Sequence, residues 1–369
     1  MQKSGLYVHI PFCRSKCPYC GFYSIASTSL IPAWLDAFKK EALYYKDRFK
    51  GFDSLYVGGG TPTFLDVRSL ADVMGQLLTH YDFATDSEFT IEANPCDLTR
   101  EKIKALKDLG FNRISLGIQS FDDHILSFLG RSHTVREAER ALTALRSFGF
   151  ENIGVDLIYG FQGLNLKKWI DTLKRALAFQ PEHLSCYQLT FEKRTLFARL
   201  KDKGLVNLLS EKDECAFFHT TSRFLEDNGY IHYEISSFAR DEGRYSRHNC
   251  KYWRHIPYLG LGPSAHSFHK SNRWWNVRSL RKYCKLLEGG KAPVAGGEDL
   301  TDEQLRLESI SLGLRTKQGF ALKPPLHDFR SYERLFMLQD SGFLRVTEGR
   351  VIPTRKGFLV ADQLALYLA

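Results

Sequence analysis

The sequence predicts an α/β fold with parallel strands, and three observations carry that reading. Between residue 5 and about residue 190 a short β-branched or aromatic run is followed by an amphipathic helical stretch six times over. Two of the helical stretches begin on N-cap residues and are followed by glycine. Polar residues then fall just beyond successive apolar runs. Six strand-then-helix units require parallel strands joined by right-handed crossovers, in either a doubly wound sheet or a barrel. In both architectures ligands gather at the carboxyl ends of the strands.

Residues 6–10, 54–57, 88–92, 113–118, 153–158 and 183–189 read as strands, with helices at 33–46, 70–80, 99–109, 134–148 and 167–178. Within 134–148, Ala138, Ala141, Leu142, Leu145 and Phe148 share one face of a 3.6-residue period, as a helix covering a sheet requires. Thr99 and Thr134 are suited to N-caps, and Gly110 and Gly149 follow the last turns, where a left-handed residue ends a helix. Further on, 211–228 reads as a helix and 230–236 alternates like a strand, about where the parallel unit should end. From residue 300, two helices (303–314, 332–341), a hairpin (342–346 with 350–353) and a last helix (355–368) have the outline of a winged helix. The mixed charge of 332–341 favours a lid or docking module over a DNA reader.

The chemistry starts immediately after the first strand. Tyr7 to Phe22 reads YVHIPFCRSKCPYCGF, with Cys13, Cys17 and Cys20 spaced C-x3-C-x2-C. No fourth ligand follows closely, since the next cysteine is Cys96. A closed zinc site wants four protein ligands, so an iron–sulfur cluster with one iron left for an outside ligand fits better. After the second strand comes Gly58-Gly59-Gly60-Thr61-Pro62, backbone open to close approach by a ligand and lacking the G-K-[ST] ending of a phosphate loop. Later strands end in Glu92-Ala93-Asn94, Gly117-Ile118-Gln119 and Asp156-Leu157-Ile158, with Arg131 nearby in sequence. Such a set can converge on the hydroxyls and amine of a nucleoside, while Arg131 can pair with a carboxylate.

The cysteine spacing, Tyr19 before the third cysteine and the Gly58–Pro62 turn resemble the radical S-adenosylmethionine superfamily. The run Tyr7-Val8-His9-Ile10-Pro11-Phe12 resembles, more narrowly, its oxygen-independent coproporphyrinogen oxidase group, which holds HemN-type decarboxylases and HemW-type heme chaperones. The resemblance decides the fold: a partial (β/α)6 radical-SAM barrel with a smaller, mostly helical, winged-helix-like C-terminal domain. It divides the chain into a barrel at 1–235, a basic connecting segment at 236–299 and the C-terminal domain at 300–369. It implies a 4Fe–4S cluster on Cys13, Cys17 and Cys20, and S-adenosyl-L-methionine held by Tyr7, Tyr19, Gly59, Gly60, Thr61, Glu92, Gln119, Arg131 and Asp156. Residues 187–190 would wall the adenine side. The run Arg247-His248-Asn249-Cys250-Lys251-Tyr252-Trp253 is similar to the H-N-x-x-Y-W sequence associated with heme in the chaperones. On that reading His248 ligates iron, Tyr252 and Trp253 offer flat faces, and Arg247 and Lys251 meet propionates. The alternative is a barrel cap with His248 bonded internally.

Within the group, Phe22 stands where the decarboxylases carry a further cysteine, and the N-terminal arm is short. Both features favour a heme chaperone, with coproporphyrinogen III decarboxylation as the second reading. The implied partners are heme or another porphyrin, a heme-accepting protein that can be membrane-associated, and an electron donor. Nucleic acid explains neither the cysteines nor the strand-end polar set and is not expected.

Composition agrees. The 369 residues carry a net charge of +9 and eight cysteines, too few for a disulfide scaffold in a chain of this length. Between residues 239 and 287 stand eleven basic residues against two acids, which favours an anionic partner or a solvated face. There is no run of eighteen apolar residues and no apolar signal core, so a cytoplasmic protein is expected, compatible with peripheral attachment to a membrane.

Overall fold

A computed structural model describes residues 3–207, 209–322 and 329–368. Its organising feature is a two-residue alternation in six parallel strands: β1 (Ser4–Ile10), β2 (Phe52–Gly59), β3 (Phe83–Ala93), β4 (Arg113–Gln119), β5 (Ile153–Tyr159) and β6 (His183–Gln188). One phase, including Leu6, Val8, Leu55, Val57, Ile91, Ile114, Leu116, Val155, Leu157 and Leu184, is fully buried in the main core. Successive side chains point to opposite faces, so the other phase (Tyr7, Tyr56, Glu92, Ser115, Asp156, Ser185) faces the barrel interior. The register places those residues side by side: Tyr7 opposite Tyr56, Glu92 opposite Ser115, Asp156 opposite Gly117 and Ser185. A partial barrel with an apolar jacket and a polar lumen results.

The jacket is built from α1 (Ile31–Tyr45), α2 (Val67–His80), α3 (Arg100–Asp108), α4 (Asp123–Phe128), α5 (Val135–Ser147) and α6 (Leu166–Ala178). Thr99 accepts from Lys102 N, and Thr134 forms a reciprocal capping box with Glu137, as expected from their positions. Gly110 and Gly149, at φ 89° and 76°, take the left-handed conformation that ends α3 and α5. After α7 (Leu196–Asp202) and α8 (Glu211–Asp227), β7 (Ile231–Glu234) and β8 (Ser237–Ala239) extend the sheet antiparallel beyond β6.

The stretch 236–299 does more than connect. It supplies α9 (Arg247–Trp253) and then β9 (Tyr258–Leu261), which pairs in parallel with β1, followed by β10 (His266–His269), β11 (Asn272–Asn276), α10 (Leu280–Glu288) and β12 (Val294–Asp299). One sheet of twelve strands therefore runs from β12 to β7 among the described residues. The buried Glu41 of α1 fastens this addition, accepting from Gly262 N, Asn276 Nδ2 and the Tyr283 hydroxyl. The C-terminal module comprises α11 (Asp302–Gly313), β13 (Phe320–Ala321), α12 (Phe329–Asp340), β14 (Leu344–Thr347), β15 (Arg350–Pro353), α13 (Arg355–Phe358) and α14 (Ala361–Leu368). It packs a core of its own around Ile310, Leu314, Leu335, Val351 and Leu364. No helix among the described residues is long and apolar enough to cross a membrane.

Candidate functional site

The cysteine loop is pinched at its base. Phe12 bridges Ile25, with Cys13 N donating to Ile25 O and Ile25 N to Pro11 O, so residues 13–24 form a closed excursion above β1. The glycine turn after β2 binds the near side of that excursion, through Gly60 N to Ile10 O and Thr61 N to Phe12 O, both 2.8 Å. A Cβ at position 60 would stand 2.5 Å from Phe12 O, so glycine is required there by the cysteine loop itself. The thiols of Cys13, Cys17 and Cys20 are free and half-buried. The Thr61 hydroxyl lies 3.3 Å from Cys13 Sγ, and Arg131 Nη1 lies 3.5 Å from Cys17 Sγ. Both are hydrogen-bond donors directed at sulfur.

Behind the thiols opens a cavity of about 820 Å³ at the carboxyl ends of the strands. Its walls include the three cysteines, Tyr19, Gly59, Gly60, Thr61, Glu92, Gln119, Arg131 and Asp156, so eleven of the twelve residues expected there are brought together. Residues 187–190 also line it. Glu92 accepts from Gly59 N at 3.1 Å and from the Tyr56 hydroxyl at 2.9 Å, and burial pushes its carboxyl up to about 7. Burial likewise raises Asp156, against the opposing pull of hydrogen bonds from Ser185 and Ser115. Gln119 adopts φ 69°, a left-handed conformation unusual for a residue with a side chain, just where β4 meets the cavity. Asn94 Oδ1 and Arg131 Nε are buried with no partner. Two carboxyls shifted by desolvation, a strained glutamine and orphaned polar atoms around one cavity are what a polar ligand would satisfy. The three thiols at its edge fit a cluster whose remaining corner faces that ligand.

Tyr7 is the exception. Its ring stacks on Tyr56 at 6.2 Å and its hydroxyl lies 3.1 Å from His9 Nδ1, and it is not part of the cavity wall. Tyr56 takes the wall position instead. The signal that could have found it is phase: Tyr56 lies on the same side of its strand as Glu92 does on β3.

The H-N-x-x-Y-W run lies elsewhere. Helix α9 closes the opposite mouth of the barrel, against Gly5, Ser54 and Glu88 at the amino ends of β1 to β3. His248 is fully buried, with Nδ1 3.1 Å from Ser54 Oγ and Nε2 2.8 Å from the Tyr252 hydroxyl. Burial, aided by Lys251, lowers its pKa to about 3. Both ring nitrogens are engaged, the arrangement of the internally bonded cap. Arg247 pairs with Asp86 at the surface, and the buried Lys251 pairs with Asp53. Trp253 points to the other side of α9, under the Arg315 guanidinium at 5.5 Å. Helical geometry explains the split: His248 and Tyr252, four apart, share the inward face, while Cys250 and Trp253, three apart, share another.

The wider basic segment is partly neutralised too, Arg273 pairing with Glu298 and Glu308.

Comparison with known proteins follows this geometry. The model of the radical SAM superfamily matches residues 7–176. The heme chaperone HemW of Bacillus subtilis is 34% identical, over 97% of this chain and 97% of its own length. HemW of Lactococcus lactis is 33% identical, over 99% and 97%. The solved coproporphyrinogen III oxidase HemN of Escherichia coli, a radical SAM enzyme, superposes with a TM-score of 0.85 at 25% identity, covering 100% of this chain and 90% of that one. With such likeness across nearly the whole length, the chain belongs to the HemN/HemW group of the radical SAM superfamily.

Proposed function

We propose that the protein is a heme chaperone, carrying a 4Fe–4S cluster and S-adenosylmethionine, that binds heme and hands it to a recipient protein. The near-full-length identity to proteins described as heme chaperones carries this reading. Phe22 supports it: at the lip of the cavity, 65% exposed, it leaves no thiol where the decarboxylases have their further cysteine. The structural likeness to HemN keeps coproporphyrinogen III decarboxylation as the second reading.

In this proposal Cys13, Cys17 and Cys20 hold the cluster, which when bound supplies an electron to the sulfonium of S-adenosylmethionine. The chain's own part is positioning. The Gly59–Thr61 backbone meets the methionine end, Glu92 holds a cationic amine, and Gln119 and Asp156 accept from hydroxyls. Arg131, 3.5 Å from Cys17 Sγ, would pair with a carboxylate. Tyr56 orients Glu92.

The test is anaerobic. Cluster-reconstituted protein is offered coproporphyrinogen III with reductant and, separately, heme with a heme-free acceptor. A chaperone leaves the coproporphyrinogen unchanged and transfers heme to the acceptor; formation of protoporphyrinogen IX would overturn the assignment in favour of the decarboxylase.

A further inference from the structure

The tip of the cysteine excursion continues into a charged surface that the cavity does not use. Phe22, at that tip, is 65% exposed, yet its backbone bonds the Cys20 thiol, so a single residue leads from solvent to sulfur. Lys16 closes over the tip, with Nζ 3.2 Å from Phe22 O. Arg278 reaches the same place from a distant part of the chain, its Nη2 3.4 Å from Gly21 O and its guanidinium 5.7 Å from the centre of the Tyr23 ring. The Tyr23 hydroxyl in turn accepts from Leu280 N at 2.9 Å, which ties the first turn of α10 to the excursion. Helix α10 buries Leu280, Tyr283 and Leu287 and turns Arg281, Lys282 and Lys285 to solvent, with Glu288 its one acid. Among the described residues, Lys16, Arg278, Arg281, Lys282 and Lys285 form no ion pair with a carboxylate, unlike Arg273.

We infer that this face, from Phe22 and Lys16 through Arg278 to the solvent side of α10, docks an acidic protein that carries single electrons on a flavin. The inference rests on the proposed cluster at Cys13, Cys17 and Cys20 and assigns the place where its electron enters. Sign selects an anionic partner, because unpaired cations on a fixed backbone steer an acidic surface into register. Position selects an electron carrier among anionic partners, because the charge converges where one residue leads to a thiol; a nucleic acid or a membrane needs no such proximity. Phe22 supplies the central aromatic contact of the face, apolar like the dimethylbenzene edge of a flavin. On transfer the flavin passes from hydroquinone anion to neutral semiquinone, one electron goes to the oxidised cluster and no proton moves. Attraction between exposed charges is screened by salt, so affinity should fall as ionic strength rises.

Full-length, cluster-reconstituted protein titrated anaerobically with an acidic flavodoxin tests this, by calorimetry for binding and by stopped-flow absorbance for oxidation of the flavin hydroquinone. One flavodoxin per chain is expected, with Kd weakening by about tenfold or more between low and high salt. The double variant Arg281→Glu, Lys285→Glu should weaken Kd by about tenfold or more at low salt and slow flavin oxidation in step. Phe22→Ser should weaken Kd several-fold at every salt concentration, and Lys167→Glu with Lys174→Glu, on the remote helix α6, should leave it within about twofold. Bound iron equal to that of the unsubstituted protein reports that each variant is folded and loaded. If Kd ignores both salt and the α10 charge reversal, the face is wrong. If flavodoxin fails to bind and phosphatidylglycerol vesicles bind through the same α10 charges, the surface belongs to a membrane and the inference falls. If the unsubstituted protein retains no iron, the cluster reading falls, and the electron-entry role with it, whatever the Kd.

Discussion

The two mouths of the barrel are built from the same strands and the same polar phase, yet one is open and the other sealed. At the carboxyl ends, Glu92, Asp156, Asn94 and Arg131 surround a cavity with acceptors and donors left over. At the amino ends, Glu88 faces Arg113 at 3.9 Å, His183 bonds Tyr233 and Ser54 bonds His248 under α9, while Arg113 Nε and His183 Nδ1 keep no hydrogen-bond partner. Polar side chains in a lumen are thus not in themselves a site. What marks a site is unsatisfied polarity that lines an open cavity.

The sharpest way to separate the two ends is to remove a thiol. Cys17→Ala should reduce the iron and sulfide bound after anaerobic reconstitution to background, with thermal midpoint shifted by no more than about 2–4 °C, since the side chain is half-exposed. Retained stoichiometric iron would contradict the three-cysteine cluster. At the sealed end the converse holds. Arg113→Met removes the cation facing buried Glu88, which keeps hydrogen bonds from Thr90 and the Arg247 backbone, and should cost about 1–3 kcal/mol in denaturant unfolding, with iron content per folded molecule unchanged.

Protonation divides the ends in the same way. His248 is held neutral, so the unfolded chain binds a proton that the folded one refuses between pH about 6.5 and about 3. Its contribution to stability is complete above about 6.5 and lost as pH falls towards 3. Denaturant midpoints measured across this window should show a steeper acid limb in the unsubstituted protein than in His248→Gln; equal slopes would place the histidine in solvent. Glu92 has the opposite sign. Its folded-state pKa of about 7 exceeds the ordinary 4.5, so its contribution is present at low pH and lost as pH rises through 7. A cationic ligand amine reverses that loss, so S-adenosylmethionine should bind more tightly as pH rises through 7. Glu92→Gln should weaken that binding by about 1–3 kcal/mol and flatten its pH dependence in calorimetry.

The six-strand unit was legible because each piece carries local evidence: an apolar phase, a cap such as Thr134, a stop such as Gly149. The cavity was legible because its residues follow strand ends directly. What escaped were relations between distant segments. Strands β9 to β12 are mostly four to six residues long, and β9 meets β1 across some 250 positions, which no local pattern records. The H-N-x-x-Y-W run showed its residue types but not its orientation: one turn of helix places His248 in the lumen and Cys250 at a module boundary. For Tyr7 the alternation of β1 gives the inward direction but not which of the two stacked rings, Tyr7 or Tyr56, faces the cavity.

The pairing of Gly5–Val8 with Tyr258–Leu261 also has a temporal side. During synthesis at about 5–20 residues per second, the first strand waits roughly 12–50 s for its second neighbour to emerge. Throughout that interval the cysteine excursion hangs from a strand bare along one edge. An emerging chain of this kind exposes its thiols before the sheet around them is finished.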